Sequence, residues 1–185
     1  MVVNADKSGV DSTGNNDMRI TKVGKIVRKF KLDEIMQLWN VLINDMSLVG
    51  PRPNVKRETD LYTTEEKKIL NVKPGITDFA SIVFSDEGDI LENKDNPDLA
   101  YNQLIRPWKN RLALFCIKND SIVLRIRIIL LTVTTIFNRE AALKSVVKTL
   151  IKLNANEEII KVSSRKNELV PTPPMGSGEV VLSRG

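Results

Sequence analysis

The chain is 185 residues long, 42% of them are hydrophobic, and its formal net charge is +5. A chain of this length and apolar content can bury one sizeable core, so the sequence predicts one domain with tails. Histidine is absent, which excludes a histidine general base, a histidine-containing triad and a His-ligated zinc site.

The N-terminal region divides into a polar segment and a basic amphipathic one. Residues 1–17 contain no apolar run, which predicts a flexible segment with neither a signal peptide nor a membrane span. Between Arg19 and Phe30, apolar residues recur at helical spacing while lysines and arginines fill the other faces. This pattern favours a solvated or membrane-surface helix over a nucleic-acid site, because no aromatic interleaving or known nucleic-acid-binding fold accompanies it.

Residues 31–53 combine an amphipathic helix with a rigid arginine turn. Apolar residues at spacings of three and four predict a helix whose apolar face packs inward; they are Leu32, Ile35, Leu38, Trp39, Leu42 and Ile43. At the end of the segment, Pro51 and Pro53 restrict the backbone on both sides of Arg52. The guanidinium of Arg52 is therefore presented with little conformational freedom left to lose.

Two adjacent acids stand at the start of this helix. From spacing alone, Asp33 and Glu34 are typical of helix capping, because carboxylates there bind free amides and complement the helix dipole. The functional alternative is an aspartate that attacks a phosphoryl centre beside a glutamate that holds a hard cation or moves a proton. That chemistry needs positive groups for diphosphate oxygens, which Arg28 and Arg52 could supply bidentately. The alternative for both arginines is a surface ion pair.

The middle of the chain has the pattern of short elements. Residues 55–70 predict one or two short helices, with Thr63 or Thr64 as an N-cap. Pro74-Gly75 predicts a turn, and residues 79–84 are the best strand candidate in the chain.

The second half of the chain is predicted to be helical and basic. The acidic stretch 85–97 indicates a loop or short helix, and residues 98–118 have helical spacing with a kink or break near Pro107. Cys116 has no partner for an internal disulfide, which indicates a buried residue in a reducing compartment. Residues 101–166 hold 13 Lys or Arg and 4 Asp or Glu, a balance that suits an anionic lipid surface. The same balance would attract RNA or DNA, but no base-reading motif supports that alternative.

Three further segments complete the chain. Residues 121–138 are the most apolar stretch and predict a core helix or strand, with a membrane-contacting helix as the alternative. Residues 139–161 predict one amphipathic basic helix. Prolines and glycines are frequent in residues 163–185, which predicts a disordered C-terminal tail.

Several blocks of the sequence resemble the bacterial sugar transferase family. Two of them are Leu32-Asp33-Glu34-Ile35-x-Gln37-Leu38-Trp39-Asn40-Val41-Leu42 and Asp45-Met46-Ser47-Leu48-Val49-Gly50-Pro51-Arg52-Pro53. Others are Asn16-Asp17-x-Arg19-Ile20-Thr21, Lys73-Pro74-Gly75-Ile76-Thr77-Asp78 and Asn96-Pro97-Asp98. The resemblance covers residues 1–137. It implies an α/β (α+β) fold, mainly helical with a small sheet, in a membrane-associated sugar transferase domain at residues 18–162.

The resemblance implies a two-step phosphoglycosyl transfer. Asp33 would attack the β-phosphate of a UDP-sugar, release UMP and form an aspartyl-phosphosugar intermediate. Undecaprenyl (polyprenyl) phosphate would then take the sugar phosphate, which initiates a surface polysaccharide or a glycoprotein glycan. Glu34 resembles the partner acid, with a role in magnesium binding or in proton handling, and Mg²⁺ would bind at Asp33 and Glu34. The implied substrate-binding residues are Arg28, Pro51, Arg52 and Pro53.

The resemblance also implies a location and partners. We expect the cytoplasmic face of the bacterial inner membrane, contact with an anionic membrane surface, no nucleic acid, and homo-oligomer formation as a further option. Family members carry a re-entrant membrane helix before the point at which this chain begins. The rival expectation is therefore a truncated peripheral membrane fragment that keeps the fold without the activity.

Four positions depart from the family pattern. Lys31 stands where serine is usual, which removes a Ser-x-x-Glu capping box, and Met36 stands where proline is usual. Ser85 stands where arginine is expected, which places one nucleotide-phosphate contact in question. Arg125 stands where aspartate is usual. The acid pair and the Pro-Arg-Pro turn are retained.

Overall fold

The computed structural model describes residues 20–24, 32–92 and 94–182, and for residues 32–36 it describes the backbone alone. The described chain is mainly helical with a two-stranded parallel sheet, which confirms the predicted fold class. Its elements are α1 (Leu32–Leu42), β1 (Ser47–Val49), α2 (Lys56–Thr59), a 3-10 helix (Glu66–Asn71), β2 (Gly75–Thr77), α3 (Phe79–Val83), α4 (Glu87–Leu91), α5 (Pro97–Ala100), a π-helical segment (Tyr101–Ile105), α6 (Arg106–Lys118), α7 (Ile122–Phe137), α8 (Arg139–Lys152) and α9 (Glu157–Ser163).

The small sheet brings together two segments that are distant in sequence. Strands β1 and β2 run parallel, with Ser47 opposite Gly75 and Val49 opposite Thr77. The N–H of Ser47 also donates to the carbonyl of Pro74 at 2.8 Å. Pro74-Gly75 was predicted to form a turn. Gly75 is instead the first residue of β2, directly after Pro74.

The prediction of a strand at residues 79–84 is wrong, because this run forms helix α3. All its residues except Ser81 are buried, and Asp78 caps it by accepting a hydrogen bond from the Ser81 N–H at 2.7 Å. A short apolar run that is buried on every side has no polar face to reveal its period. Periodicity alone therefore cannot separate a buried strand from a buried helix.

The predicted short helices of residues 55–70 are confirmed as α2 and the 3-10 helix. The N–H of Thr63 donates to Oε2 of Glu66, and the Glu66 N–H donates to Oγ1 of Thr63, both at 3.2 Å. These reciprocal bonds form a capping box, which confirms Thr63 as the capping residue.

Helix α1 is confirmed, but its described apolar side chains do not pack inward as predicted; the side chains of Leu32 and Ile35 lie outside the described residues. Large apolar side chains on and just after the helix are 46–77% exposed; they are Leu38, Trp39, Leu42 and Ile43. The helix is instead anchored at its end, where the Asn40 carbonyl accepts hydrogen bonds from the N–H groups of Asp45 (2.8 Å) and Met46 (3.0 Å). No described element covers the apolar face.

Residues 97–118 form a continuous run of helix that crosses the core. The π-helical segment ends two residues before Pro107, where a kink or break was predicted. Proline disturbs the regular helix here because it lacks an N–H donor and its ring crowds the preceding turn. Cys116 on α6 is buried, as predicted, and burial raises the pKa of its thiol to about 12. Fully buried apolar residues of the core include Phe79, Ile82, Ile105, Leu112, Ile128, Val146 and Leu150.

Helix α7 has one buried and one exposed apolar face. Ser121 caps it by accepting from the Leu124 N–H at 3.2 Å, and Leu124, Ile128 and Leu131 are buried, which confirms the core-helix interpretation for this face. Exposed apolar residues on the helix include Ile122, Val123, Ile126, Leu130, Val133, Ile136 and Phe137. Among the described residues, no helix combines the length and apolarity that crossing a bilayer requires.

The single helix predicted for residues 139–161 is broken into α8 and α9. Asn154 has a φ of 55°, in the left-handed region, and α9 restarts where the Asn156 side chain accepts from the Ile159 N–H at 2.9 Å. A second asparagine, Asn138, caps α8 in the same way through the Ala141 N–H.

The prediction of a disordered tail is wrong for residues 164–182. This segment forms no regular helix or strand, as its prolines and glycines suggest, but side chains of the body bind its backbone. These bonds include Gln103 Nε2 to the Val181 carbonyl (2.6 Å), Arg111 Nη2 to the Pro173 carbonyl (3.0 Å) and Thr63 Oγ1 to the Met175 carbonyl (2.5 Å).

Candidate active site

The backbone of the neighbouring strand fixes the arginine turn. The Gly50 N–H donates to the Thr77 carbonyl at 3.0 Å, and the Gly75 N–H donates to the Pro51 carbonyl at 2.9 Å. The two segments approach so closely that a Cβ on Gly75 would lie 2.1 Å from the Gly50 nitrogen. Position 75 therefore requires glycine, and it is here that two of the family-like blocks meet.

The turn presents its arginine to solvent. Pro51 is buried, whereas Arg52 and Pro53 are exposed. Arg52 forms no hydrogen bond or ion pair with a described residue, so the surface ion pair considered for it is not observed. Asn54 ends the turn by donating from Nδ2 to the Tyr62 hydroxyl at 2.5 Å. Burial raises the pKa of Tyr62 to about 12, which keeps this hydroxyl neutral.

A buried carboxylate lies close to the turn. Asp78 directly follows β2 and is only 2% exposed, and its Oδ1 accepts from the N–H and the hydroxyl of Ser81 at 2.7 and 2.8 Å. Burial raises the pKa of Asp78 above its ordinary value, while the Ser81 bonds and the charges of Lys109 and Arg52 act in the opposite direction. We did not predict Asp78 as a site residue. Its place at the end of a glycine-containing family block was the signal available.

Lys109 extends this charged cluster. Its Nζ forms an ion pair with the Glu87 carboxylate and lies 5.3 Å from the centroid of the Tyr101 ring. Burial, followed by the negative charge of Glu87, raises the pKa of Tyr101 far above its ordinary value. The described centre therefore holds an exposed guanidinium, a buried carboxylate and a lysine–glutamate pair.

The predicted catalytic acids lie in the first turn of α1. The backbone of Asp33 and Glu34 is helical, but their side chains lie outside the described residues, as does the whole of Arg28. Their catalytic, phosphate-binding and metal-binding roles stay predictions. Among the described side chains, which exclude those of residues 32–36, no group of three or more acidic or cysteine residues could hold a metal ion.

Two of the unusual positions have partners in the structure. Arg139 Nε donates to the Ser85 hydroxyl at 3.0 Å, and its Nη2 forms an ion pair with Asp86 at 2.8 Å. Helix α8 thus supplies a guanidinium beside the position where arginine was expected. At the start of α7, Arg125 Nε donates to Asp120 Oδ1 at 2.7 Å, which balances the charge of this arginine.

Comparisons of the sequence with known proteins identify its family and several relatives. A family model described as bacterial sugar transferase matches residues 1–139. The chain is 37% identical over 149 residues to a UDP-glucose:undecaprenyl-phosphate glucose-1-phosphate transferase of Klebsiella pneumoniae, covering 77% of this chain and 29% of that protein. It is 34% identical over 120 residues to a UDP-N-acetylgalactosamine-undecaprenyl-phosphate N-acetylgalactosaminephosphotransferase of Aeromonas hydrophila, covering 62% and 28%.

A third relative matches over a shorter stretch at higher identity. It is an undecaprenyl-phosphate galactose phosphotransferase of Salmonella typhimurium, 55% identical over 62 residues, which cover 34% of this chain and 13% of that protein. The chain therefore spans less than a third of the length of each of these curated relatives.

Proposed function

The chain belongs to the bacterial sugar transferase family, and from that membership we propose that it transfers a sugar-1-phosphate from a UDP-sugar to undecaprenyl phosphate. The products would be polyprenyl-diphospho-sugar and UMP. The names of three relatives describe undecaprenyl-phosphate sugar phosphotransferases, which supports this reaction class. Because these names specify three different sugars, the proposal concerns the reaction and not one sugar.

The observation that carries the proposal is the Arg52 turn. A diphosphate needs a cation that is accessible and not already neutralised by the protein. Arg52 is exposed and forms no ion pair with a described residue, which supports this role. Two prolines and the hydrogen bond from Gly75 to Pro51 already fix its backbone. A bidentate contact with phosphate oxygens would therefore cost little additional ordering.

The proposed chemistry consists of two displacements at one phosphorus atom. In the first, a carboxylate oxygen of Asp33 bonds to the β-phosphorus of the UDP-sugar, and the bond from this phosphorus to the oxygen of UMP breaks. In the second, an oxygen of polyprenyl phosphate bonds to the same phosphorus and the Asp33 carboxylate is released. Two steps let both anionic substrates use one site in turn, while Arg52 offsets their charge.

We propose that Mg²⁺ is the cofactor and that Asp33 and Glu34 hold it. Carboxylate oxygens are ligands that Mg²⁺ prefers, so this donor set fits the ion. Described acids near the turn are already engaged, Asp78 by Ser81 and Glu87 by Lys109. The bound ion would offset the negative charge of the diphosphate group.

We propose that the chain works on the cytoplasmic face of the bacterial inner membrane. The exposed apolar side of α7 and the basic balance of residues 101–166 support a location at an anionic lipid surface. Each basic group near such a surface contributes about 1 kcal/mol of attraction.

Release of UMP tests the proposed reaction. The chain is incubated in detergent or lipid with UDP-sugars, Mg²⁺ and undecaprenyl phosphate, and UMP is quantified. We expect release by the natural chain and its loss in Asp33→Asn, which cannot form the acyl phosphate. Glu140→Gln, at an exposed residue paired with Lys144 on α8, is the matched control and should leave release unchanged. If no UDP-sugar yields UMP, the proposal fails.

A further inference from the structure

Helix α6 contains a buried guanidinium that forms no ion pair with any described residue. Arg106 is 1% exposed, its Nε and Nη1 are buried without a hydrogen-bond partner, and it forms no ion pair with a described residue. Arg111, one turn further along the same helix, instead donates to the carbonyls of Pro107 and Pro173. Buried N–H groups without a hydrogen-bond partner cost free energy, so Arg106 has donors available for a further ligand.

Arg106 lines a cavity of about 230 Å³. Asn102 lines it as well, is 1% exposed, and donates from Nδ2 to the Asp98 carbonyl at 2.8 Å. Its Oδ1 is buried without a donor. Two residues that line the cavity thus carry buried polar atoms without a partner, N–H donors on Arg106 and an acceptor on Asn102. Leu61 and Leu99 contribute an apolar surface beside them.

We propose that this cavity binds a phosphate-type anion, either inorganic phosphate or the phosphate of a monoester. Two N–H groups of Arg106 match two oxygens of a tetrahedral anion, and a P–O–H group can donate to Oδ1 of Asn102. The cavity is several times the volume of one water molecule, about 30 Å³, so such an anion fits with some water. The apolar wall strengthens the attraction because it excludes solvent.

The C-terminal segment forms the other side of this site. Pro174, Ser177, Glu179 and Val181 line the cavity. This side is held in place by the bonds from Thr63 and Gln103 to the carbonyls of Met175 and Val181. A bound anion therefore stabilises the path of residues 174–181. The exposed Glu179 carboxylate adds negative charge at the wall and favours a singly charged hydrogen phosphate over more highly charged anions.

This inference goes beyond the proposed transfer reaction. Part of the cavity wall comes from residues after 139, where the match to the sugar transferase family ends. The anion would bind without a UDP-sugar or a lipid. Its binding can therefore be measured separately from UMP release.

The test is a titration of the full chain with inorganic phosphate. We expect a saturable rise in the thermal midpoint and slower hydrogen exchange in residues 174–181. Arg106→Met keeps the length of the side chain and removes its charge, so it should abolish both responses. In phosphate-free buffer the same variant should be at least as stable as the natural chain, because it removes a buried charge without a partner. Lys148→Met, at an exposed residue of α8, is the control and should respond to phosphate as the natural chain does.

Two results would overturn the proposal. One is a natural chain that does not respond to phosphate; strong destabilisation of Arg106→Met in phosphate-free buffer would then show that a protein group satisfies Arg106. The other is a phosphate response that survives Arg106→Met but is lost in Arg52→Gln, because the anion then binds in the transfer site. Asp33→Asn should keep the phosphate response while it loses UMP release, so failure of one proposal is distinguishable from failure of the other.

Two further experiments test which phosphate compound binds and how Glu179 affects its binding. Repeating the titration with UMP distinguishes the sources of phosphate: a larger Arg106-dependent shift than with inorganic phosphate supports a monoester, and a smaller one supports the free ion. Glu179→Gln removes the acidic charge from the wall and should tighten phosphate binding. Weaker binding in that variant would contradict the proposed geometry.

Discussion

The substitution Gly75→Ala tests how the arginine turn is held. The added Cβ would lie 2.1 Å from the nitrogen and 2.5 Å from the Cα of Gly50, both of which are backbone atoms. No side-chain rotation can relieve this contact, so β1 and β2 must separate. Separation disrupts the bonds from Gly75 to the Pro51 carbonyl and from Gly50 to the Thr77 carbonyl.

The expected loss of stability follows from these contacts. Overpacking of this kind costs about 1–3 kcal/mol, and each disrupted hydrogen bond adds about 1 kcal/mol. The free energy of unfolding should therefore fall by roughly 3–5 kcal/mol. In a chain of this size each kcal/mol lowers the thermal midpoint by about 2–4 °C, so the midpoint should fall by roughly 6–20 °C.

Thermal unfolding followed by circular dichroism measures the change, with UMP release as a second readout. Gly178→Ala is the matched control, because a Cβ at Gly178 meets nothing within 4 Å. We expect the control to have the same thermal midpoint as the natural chain. Gly75→Ala should have a lower midpoint and should lose UMP release. Equal midpoints for the natural chain and Gly75→Ala would refute the packing argument.

Three further substitutions probe other parts of the structure. Arg139→Gln removes the guanidinium beside Ser85 and should raise the KM for the UDP-sugar more than it lowers kcat in the UMP assay. An unchanged KM would show that Arg139 has no part in binding. Asn138→Ala removes the cap that accepts from the Ala141 N–H and should cost about 1 kcal/mol in urea unfolding, whereas an unchanged midpoint would contradict the capping role. Asp78→Asn keeps a cap acceptor without the buried charge. Because folding raises the pKa of Asp78, the natural chain should lose stability relative to this variant as the pH rises from below the ordinary aspartate pKa to neutrality; a pH-independent difference would argue against a raised pKa.

The sequence predicts those features that local pattern determines. Helix α1 follows from its apolar spacing, and the Thr63 cap follows from a polar residue placed three positions before Glu66. The resemblance of the blocks around Arg52 and Gly75 to one family indicates one site. It does not reveal that the two blocks meet as paired backbone segments, because that contact depends on how strands β1 and β2 align.

The features that the sequence does not predict depend on distant neighbours. Arg106 and Asp78 are ordinary charged residues in the sequence, and only the surrounding helices bury them. The tail composition indicates the absence of helix and strand correctly, but side chains such as Arg111 and Gln103 fix its path. The exposure of the apolar face of α1 was also not predicted, because an amphipathic pattern predicts a helix without specifying what covers its apolar side.

Intact-protein mass spectrometry would detect a covalent intermediate on Asp33. The chain is incubated with a UDP-sugar and Mg²⁺ without polyprenyl phosphate, and its intact mass is measured before and after the lipid is added. We predict a mass increase equal to one sugar phosphate, located at Asp33 by peptide mapping and lost when polyprenyl phosphate is supplied. An unmodified chain that forms UMP and lipid product only when both substrates are present would contradict a two-step transfer through Asp33.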